Sequence, residues 1–212
     1  MDTATMPDSS ISMDSVEIDA ESDTSNDASA IEDGLPGTNC KSDMDCDHSF
    51  CVGTTCVHRI FVTSKRYNAD LGGLEHADQK CNQRAAAAGL GGDWKAILST
   101  KTKDARAHIS LNAPVFNLDK EEIAKPGSKL WSGTVHKSIT YGENLNGLGR
   151  TPWTGTKSGG THATGNSCRD WRSTMGSDQA VVGNSMTTAS GWLDNTFVQC
   201  DEKHALYCID GQ

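Results

Sequence analysis

The sequence predicts an α+β domain, preceded by a small disulfide knot and a disordered acidic tail. Three observations carry that expectation. A helix pattern sits beside a first β-rich run, a second β-rich run closes the chain, and a long irregular stretch separates them. Eight cysteines lie in the 212 residues, all of them after residue 39. The acidic residues crowd at the N-terminal end: residues 1–39 hold ten Asp or Glu and no Lys or Arg. The net charge of −9 therefore belongs to the tail, and the rest of the chain is nearly neutral. A clustered basic surface is absent from this reading, which argues against nucleic acid as a partner.

In chain order, residues 1–38 are rich in Ser, Thr, Asp and Ala and contain no aromatic residue. Such a segment buries too little apolar surface to offset its ordering entropy, so it reads as disordered. A flexible acidic spacer between a membrane anchor and a domain, as in a lipoprotein, suits this composition; a plain solvated tail suits it too. Residues 39–57 follow, with Cys40, Cys46, Cys51 and Cys56. Four cysteines with no apolar core between them need a covalent staple. Three pairings are open, and the interleaved one, Cys40–Cys51 with Cys46–Cys56, is preferred. A zinc site is the alternative, although the close C-x2-C pairs of zinc knuckles are missing.

From residue 59 the pattern becomes globular. "RIFVTS" (59–64) reads as a strand through Ile60, Phe61 and Val62. Leu74, Ala77, Cys81, Ala85 and Ala88 recur at helical spacing, and Gly89 marks the end of that helix. "DWKAILST" (93–100) reads as a buried strand and 101–109 as a short second helix. "APVFNLD" (113–119) and "SKLWSG" (128–133) read as strands or their edges. Residues 133–191 are mostly Gly, Thr, Ser and Asn, a loop-rich insert in which Trp153 and Trp171 pin loops to a core. "HALYCI" (204–209) is the closing strand.

Across 59–210 the order of segments resembles the endostatin-like family, a variant of the C-type lectin-like fold. The resemblance is carried by "LGGLEHADQKCNQRAAAAGLGGDWKAILST", "PVFNLDKEEI", "KLWSG", "TPWTGTKSGGTHATGNSCRDWRS" and "CDEKHALYCID". It is greatest for a bacterial secreted branch whose domains follow low-complexity tails and small cysteine knots. Cys81, Cys168, Cys200 and Cys208 allow three connectivities. The resemblance implies the nested one, Cys81–Cys208 with Cys168–Cys200. A closure as long as the first is worth about 4–5 kcal/mol in the chain-entropy model.

The cysteines and the resemblance together imply an oxidising, extracellular or cell-surface location. The N-terminus shows neither a basic patch nor an apolar core, so the export signal is expected upstream of Met1, and any membrane contact through an anchor there. No stretch of about 18 apolar residues is present. The expected function is that of a non-enzymatic binding or adhesion module. A glycan or extracellular protein would contact the loop-rich face 133–195, with exposed Trp available for stacking. The candidate ligand-binding residues are Trp153, Arg169, Arg172, Trp192, Asp194 and Asn195. A structural surface domain without a specific ligand is the alternative, and a hydrolase the next.

No cofactor is expected except calcium, at Asp194 and Asn195. Trp192, Asp194 and Asn195 echo the motif with which C-type lectins hold calcium and sugar, but Pro126 and Pro152 do not supply its partner loop. Glu143, Asn144 and Asn146 are the available substitutes, and a plain turn is the competing reading of Asp194-Asn195. His136 and His162, both in loops, are a second metal option, while His76 reads as a solvated surface histidine. Arg172 matches one of the family's heparin-binding arginines. The position of its partner holds Glu75, so weak or no heparin binding is expected.

Overall fold

The computed structural model describes Met1 and residues 36–211. The acidic segment read as disordered lies outside the described residues, apart from Met1 and residues 36–38. Those last three join the knot: the Gly37 N–H donates to the Cys56 carbonyl at 2.7 Å, and the Cys56 N–H to that of Thr38 at 2.9 Å. The knot is a hairpin of β1 (Cys51–Val52) and β2 (Thr55–Cys56), stapled by Cys40–Cys51 and Cys46–Cys56. Its interior is sulfur: Cys40, Cys46 and Cys56 bury one another with Cys51 packed against them. It docks on the rest through Asp43, which meets Lys120 at 2.5 Å.

The remainder mixes helix and strand around a mostly sheet body. β3 (His58–Val62) and β10 (Ala205–Asp210) pair antiparallel at its centre, although they stand near opposite ends of the chain. β5 (Val115–Asn117) runs parallel to β3, and β6 (Glu122–Ala124) completes that side. The far edge of β10 is shared. Its first residues take β7 (Pro152–Trp153) in parallel, and its last take β4 (Trp94–Ala96) antiparallel. Beyond β7 come β8 (Gln179–Val182) and β9 (Thr196–Gln199).

Every residue of β3 and β10 is buried, and alternate residues serve opposite faces. Phe61, Leu206 and Cys208 join one core with Trp94, Ala96, Trp153 and Trp171. Ile60, Val62, Tyr207 and Ile209 join a second core with Val115, Ile123, Leu130 and Trp192. The helix α1 (Leu74–Ala87) covers the first face with Ala77, Cys81 and Ala85, as its spacing requires, and stops where Gly89 turns left-handed at φ 72°. Its polar side also works on the sheet. Asp78 accepts the Ala96 N–H at 2.8 Å, and Asn82 bonds the N–H and carbonyl of Trp94. These side chains serve β4 backbone groups. Cys81–Cys208 then ties α1 to β10.

Several expected elements differ. "SKLWSG" forms a 3-10 helix, Gly127–Ser132, instead of a strand: Gly127 and Gly133 are left-handed, at φ 73° and 93°, and curl the segment so that Leu130 enters the core. The strand expected over 93–100 pairs only at Trp94–Ala96. Residues 97–100 stay buried but leave the ladder, because the Ser99 backbone bonds Thr154 and Trp171. The second helix, α2, is one turn, Ala105–His108. The loop-rich insert supplies β7 and β8.

Candidate functional site

The least ordinary backbone lies in "NSCRDWR". Cys168, Arg169, Asp170 and Trp171 have φ of 48°, 54°, 57° and 64°, four consecutive L residues in the left-handed region. They make one left-handed helical turn: the Trp171 N–H donates to the Ser167 carbonyl at 2.8 Å and the Arg172 N–H to that of Cys168 at 3.1 Å. Left-handed helix costs about 1–2 kcal/mol per non-glycine residue, so the turn stores roughly 4–8 kcal/mol. Strain of this kind persists only where the surroundings over-determine it, and it gathers at functional sites.

The surroundings here do so at three of the four residues. Cys168 is bonded to Cys200. Asp170 Oδ1 accepts the Lys101 N–H at 2.7 Å and the Ser167 hydroxyl at 3.1 Å. Trp171 is fully buried, and its indole N–H donates to the Ser99 carbonyl at 2.9 Å. The Trp171 carbonyl accepts the N–H groups of Leu71, Gly72 and Gly73 at 3.0–3.1 Å, which also fixes the start of α1.

Held in this way, the turn forms one wall of a cleft of about 520 Å³, lined by Lys101, His162, Thr164, Ser167, Arg169 and Asp170. That size suits a small ligand. Lys101 is exposed, and no described carboxylate pairs with its ammonium. Arg169 is exposed and meets Asp178 at 2.9 Å. The Ser173 hydroxyl, and after it Arg169, holds the Asp178 carboxyl below its ordinary range. His162 meets the Ser167 hydroxyl at 3.2 Å through Nε2 and donates its backbone N–H to Asp104 at 2.8 Å. Ser167, His162 and Asp170 do not form a nucleophile–base–orienter chain, since Asp170 meets the serine rather than the histidine. What the cleft offers is the Lys101 ammonium, the Arg169 guanidinium already paired with Asp178, an imidazole and hydroxyls, beside an Asp170 carboxylate that is itself held by the Lys101 N–H and the Ser167 hydroxyl; the set suits a hydroxyl-bearing group with an anionic end at Lys101.

Of the residues singled out from sequence, Arg169 lines this cleft and Arg172 does not, its guanidinium lying against the Gly73 backbone. Trp153 and Trp192 are fully buried, so neither is available for stacking on a ligand. Trp153 donates to the Tyr67 carbonyl at 2.9 Å and packs on His204, while Trp192 packs on Tyr207. Both are core residues because the sheet passes over them. Asp194 and Asn195 form an exposed corner before β9, and their N–H groups donate to the carbonyls of Ser190 and Val182. Among the described residues, the one group of three close His, Cys, Asp or Glu side chains is Cys40, Cys46 and Cys51, all spent in disulfides.

Glu143 is likewise engaged elsewhere. It is buried and accepts hydrogen bonds from Ser64 N–H at 2.8 Å, from the Ser64 hydroxyl and from Arg84. Burial pushes its carboxyl up, but those donors outweigh it and hold the group below its ordinary range. His136 pairs with Glu122 at 2.6 Å, so the two loop histidines have different partners. Lys101, Ser167 and Asp170 escaped the sequence reading, which took His162 only as a metal option, because residues 99–104 and 162–170 meet only through the fold.

No family model matches this sequence, and no curated protein matches it.

Proposed function

We propose that this chain is an exported binding or adhesion module of C-type lectin-like fold that holds an acidic glycan in the cleft under the left-handed turn. The observation that carries the reading is the turn itself: several kcal/mol of backbone strain, pinned at Cys168, Asp170 and Trp171, place Arg169 on the same cleft as Lys101, whose ammonium no described carboxylate pairs. A purely structural surface loop has no use for that arrangement. The absence of any aromatic side chain from the cleft lining favours a ligand held by charge and hydrogen bonds over one held by stacking. The fold reading draws support from β3 and β10 lying side by side, from α1 bonded to β10, and from the loop-rich insert between them. The export reading draws support from four disulfides. No described helix is long and apolar enough to cross a membrane.

The test is an array of neutral and carboxylated glycans probed with the intact chain. Saturable binding confined to carboxylated members, weakened about tenfold or more by Lys101→Ala with Arg169→Ala, is the expected result. No saturable binding to any member would leave the structural-domain alternative standing.

A further inference from the structure

Four of the five tryptophans, Trp94, Trp153, Trp171 and Trp192, are fully buried. Trp131 is the exception: it is partly exposed on the 3-10 helix Gly127–Ser132. It borders a groove of about 400 Å³ with Arg106, Ile109, Ser110, Leu111 and Ser128. Gly160 backs the ring. A side chain there would begin 2.7 Å from Trp131 Cε3 and 2.9 Å from Arg106 Cβ, so only glycine, here at φ 76°, allows the loop to lie on the indole. An aromatic ring braced from behind and open in front, with a guanidinium and two hydroxyl side chains around it, matches the two-sided character of a sugar ring. The apolar C–H face rests on the indole and the hydroxyls meet polar groups.

The groove and the cleft are separate cavities joined by one loop. The Arg106 N–H donates to the Gly160 carbonyl at 3.1 Å, and two residues later the His162 N–H donates to Asp104 at 2.8 Å. The loop that supports Trp131 therefore runs directly into the cleft wall, and α2 lies between Lys101 of the cleft and the groove. The charge of this strip is complementary to an acidic ligand. Residues 99–110 carry Lys101, Lys103 and Arg106 against Asp104 alone, and residues 156–172 carry Lys157, Arg169 and Arg172 against Asp170 alone.

We propose that the Trp131 groove is a second sugar subsite. The ligand is then an acidic oligosaccharide of more than one ring, with a carboxylate in the Lys101–Arg169 cleft and a neighbouring ring stacked on Trp131. This rests on the binding reading above and adds the length and stacking requirements to it.

The probes are galacturonate as monomer, trimer and hexamer, titrated into the intact protein by calorimetry and by tryptophan emission. Because the other indoles are buried, a ligand-dependent blue shift reports on Trp131. The wild type is expected to show that shift with oligomers and to gain about tenfold or more in affinity from monomer to hexamer. Trp131→Ala should lose the shift and the gain with length but keep monomer affinity, and Trp131→Phe should restore part of the gain. Hexamer binding by Trp131→Ala as tight as by wild type would overturn the subsite and leave the cleft reading intact. Failure of the wild type to bind any of the three would overturn both.

Discussion

The strand-and-helix part of the chain and its loop-rich insert are ordered by different means. In the first, β3, β4, β5 and β10 satisfy their backbone groups on each other and on α1, and alternate side chains fill two cores. In the second, long stretches of backbone between Gly133 and Gly191 have no ladder, and side chains do the holding. Trp153 bonds the Tyr67 carbonyl, Trp171 that of Ser99, Thr154 that of Leu193 and Ser185 that of Leu148. A ladder spreads its stability over many small contacts, whereas an insert held by a few anchors concentrates it. Concentrated anchoring can hold a strained shape, and the left-handed turn is found there.

This contrast can be broken at several points. The largest effect is expected for Cys81→Ala with Cys208→Ala, which opens a crosslink between residues 127 apart. It should cost about 5 kcal/mol and lower the melting temperature of the whole domain, read by calorimetry. Cys168→Ala with Cys200→Ala should cost less than the chain-entropy figure of about 4 kcal/mol, because the freed turn relaxes, yet it should abolish glycan binding. Equal thermal loss and retained binding would remove the distinction between the two regions.

Next comes Trp171→Ala, with an expected cost of roughly 3–5 kcal/mol from the cavity and the lost indole bond. Trp131→Ala, in a partly exposed position, should cost well under half of that. Comparable losses in urea melts would mean that the insert is not held by a few anchors.

Glu143→Gln should cost about 2–3 kcal/mol by unpairing Arg84. The sign of its pH dependence follows from the lowered carboxyl. The folded protein holds this proton less tightly than the unfolded chain, so the contribution is complete above the unfolded pKa of about 4.3. It is lost as pH falls through the lower folded value. Urea midpoints of wild type and Glu143→Gln should therefore be separated by a constant gap above about pH 5 and draw together only as pH falls below about 4.3 towards the lower folded value.

The smallest effect has the opposite sign. Arg169→Gly gives a φ of 54° to the residue type that adopts it freely. It should raise stability by up to about 1 kcal/mol while weakening the ligand, since the ion pair it removes is exposed and worth little. A destabilised Arg169→Gly would show that the turn is less strained than its dihedrals imply.

Much of this was legible in local sequence. The apolar spacing of Leu74, Ala77, Cys81 and Ala85 announces α1, and short apolar runs, Ile60–Val62 and Ala205–Ile209, announce β3 and β10, because helix and strand periods are properties of adjacent residues. The four cysteines of the knot, with nothing else to bury, announce a staple. The resemblance supplied the nested pairing of the other four, which spacing alone left open. At Asp194 and Asn195 the sequence left two readings open, a calcium site and a turn.

The core-pinning role of Trp153 and Trp171 was legible, but which tryptophans would face a ligand was not. Trp131, Trp153 and Trp192 all stand among turn residues, and only the path of the sheet buries two of them and leaves the third at a groove. Nor does any local signal mark Cys168–Trp171 as left-handed. None of the four is glycine, so the preference of each residue points the other way. That conformation is imposed by a disulfide to Cys200, a carbonyl at Ser99 and N–H groups at Leu71–Gly73, none of them near it in sequence. The sequence by itself determined the elements, whose rules are local. The tertiary structure alone decided the strained turn and the cleft beside it, because both exist only where distant segments press on one another.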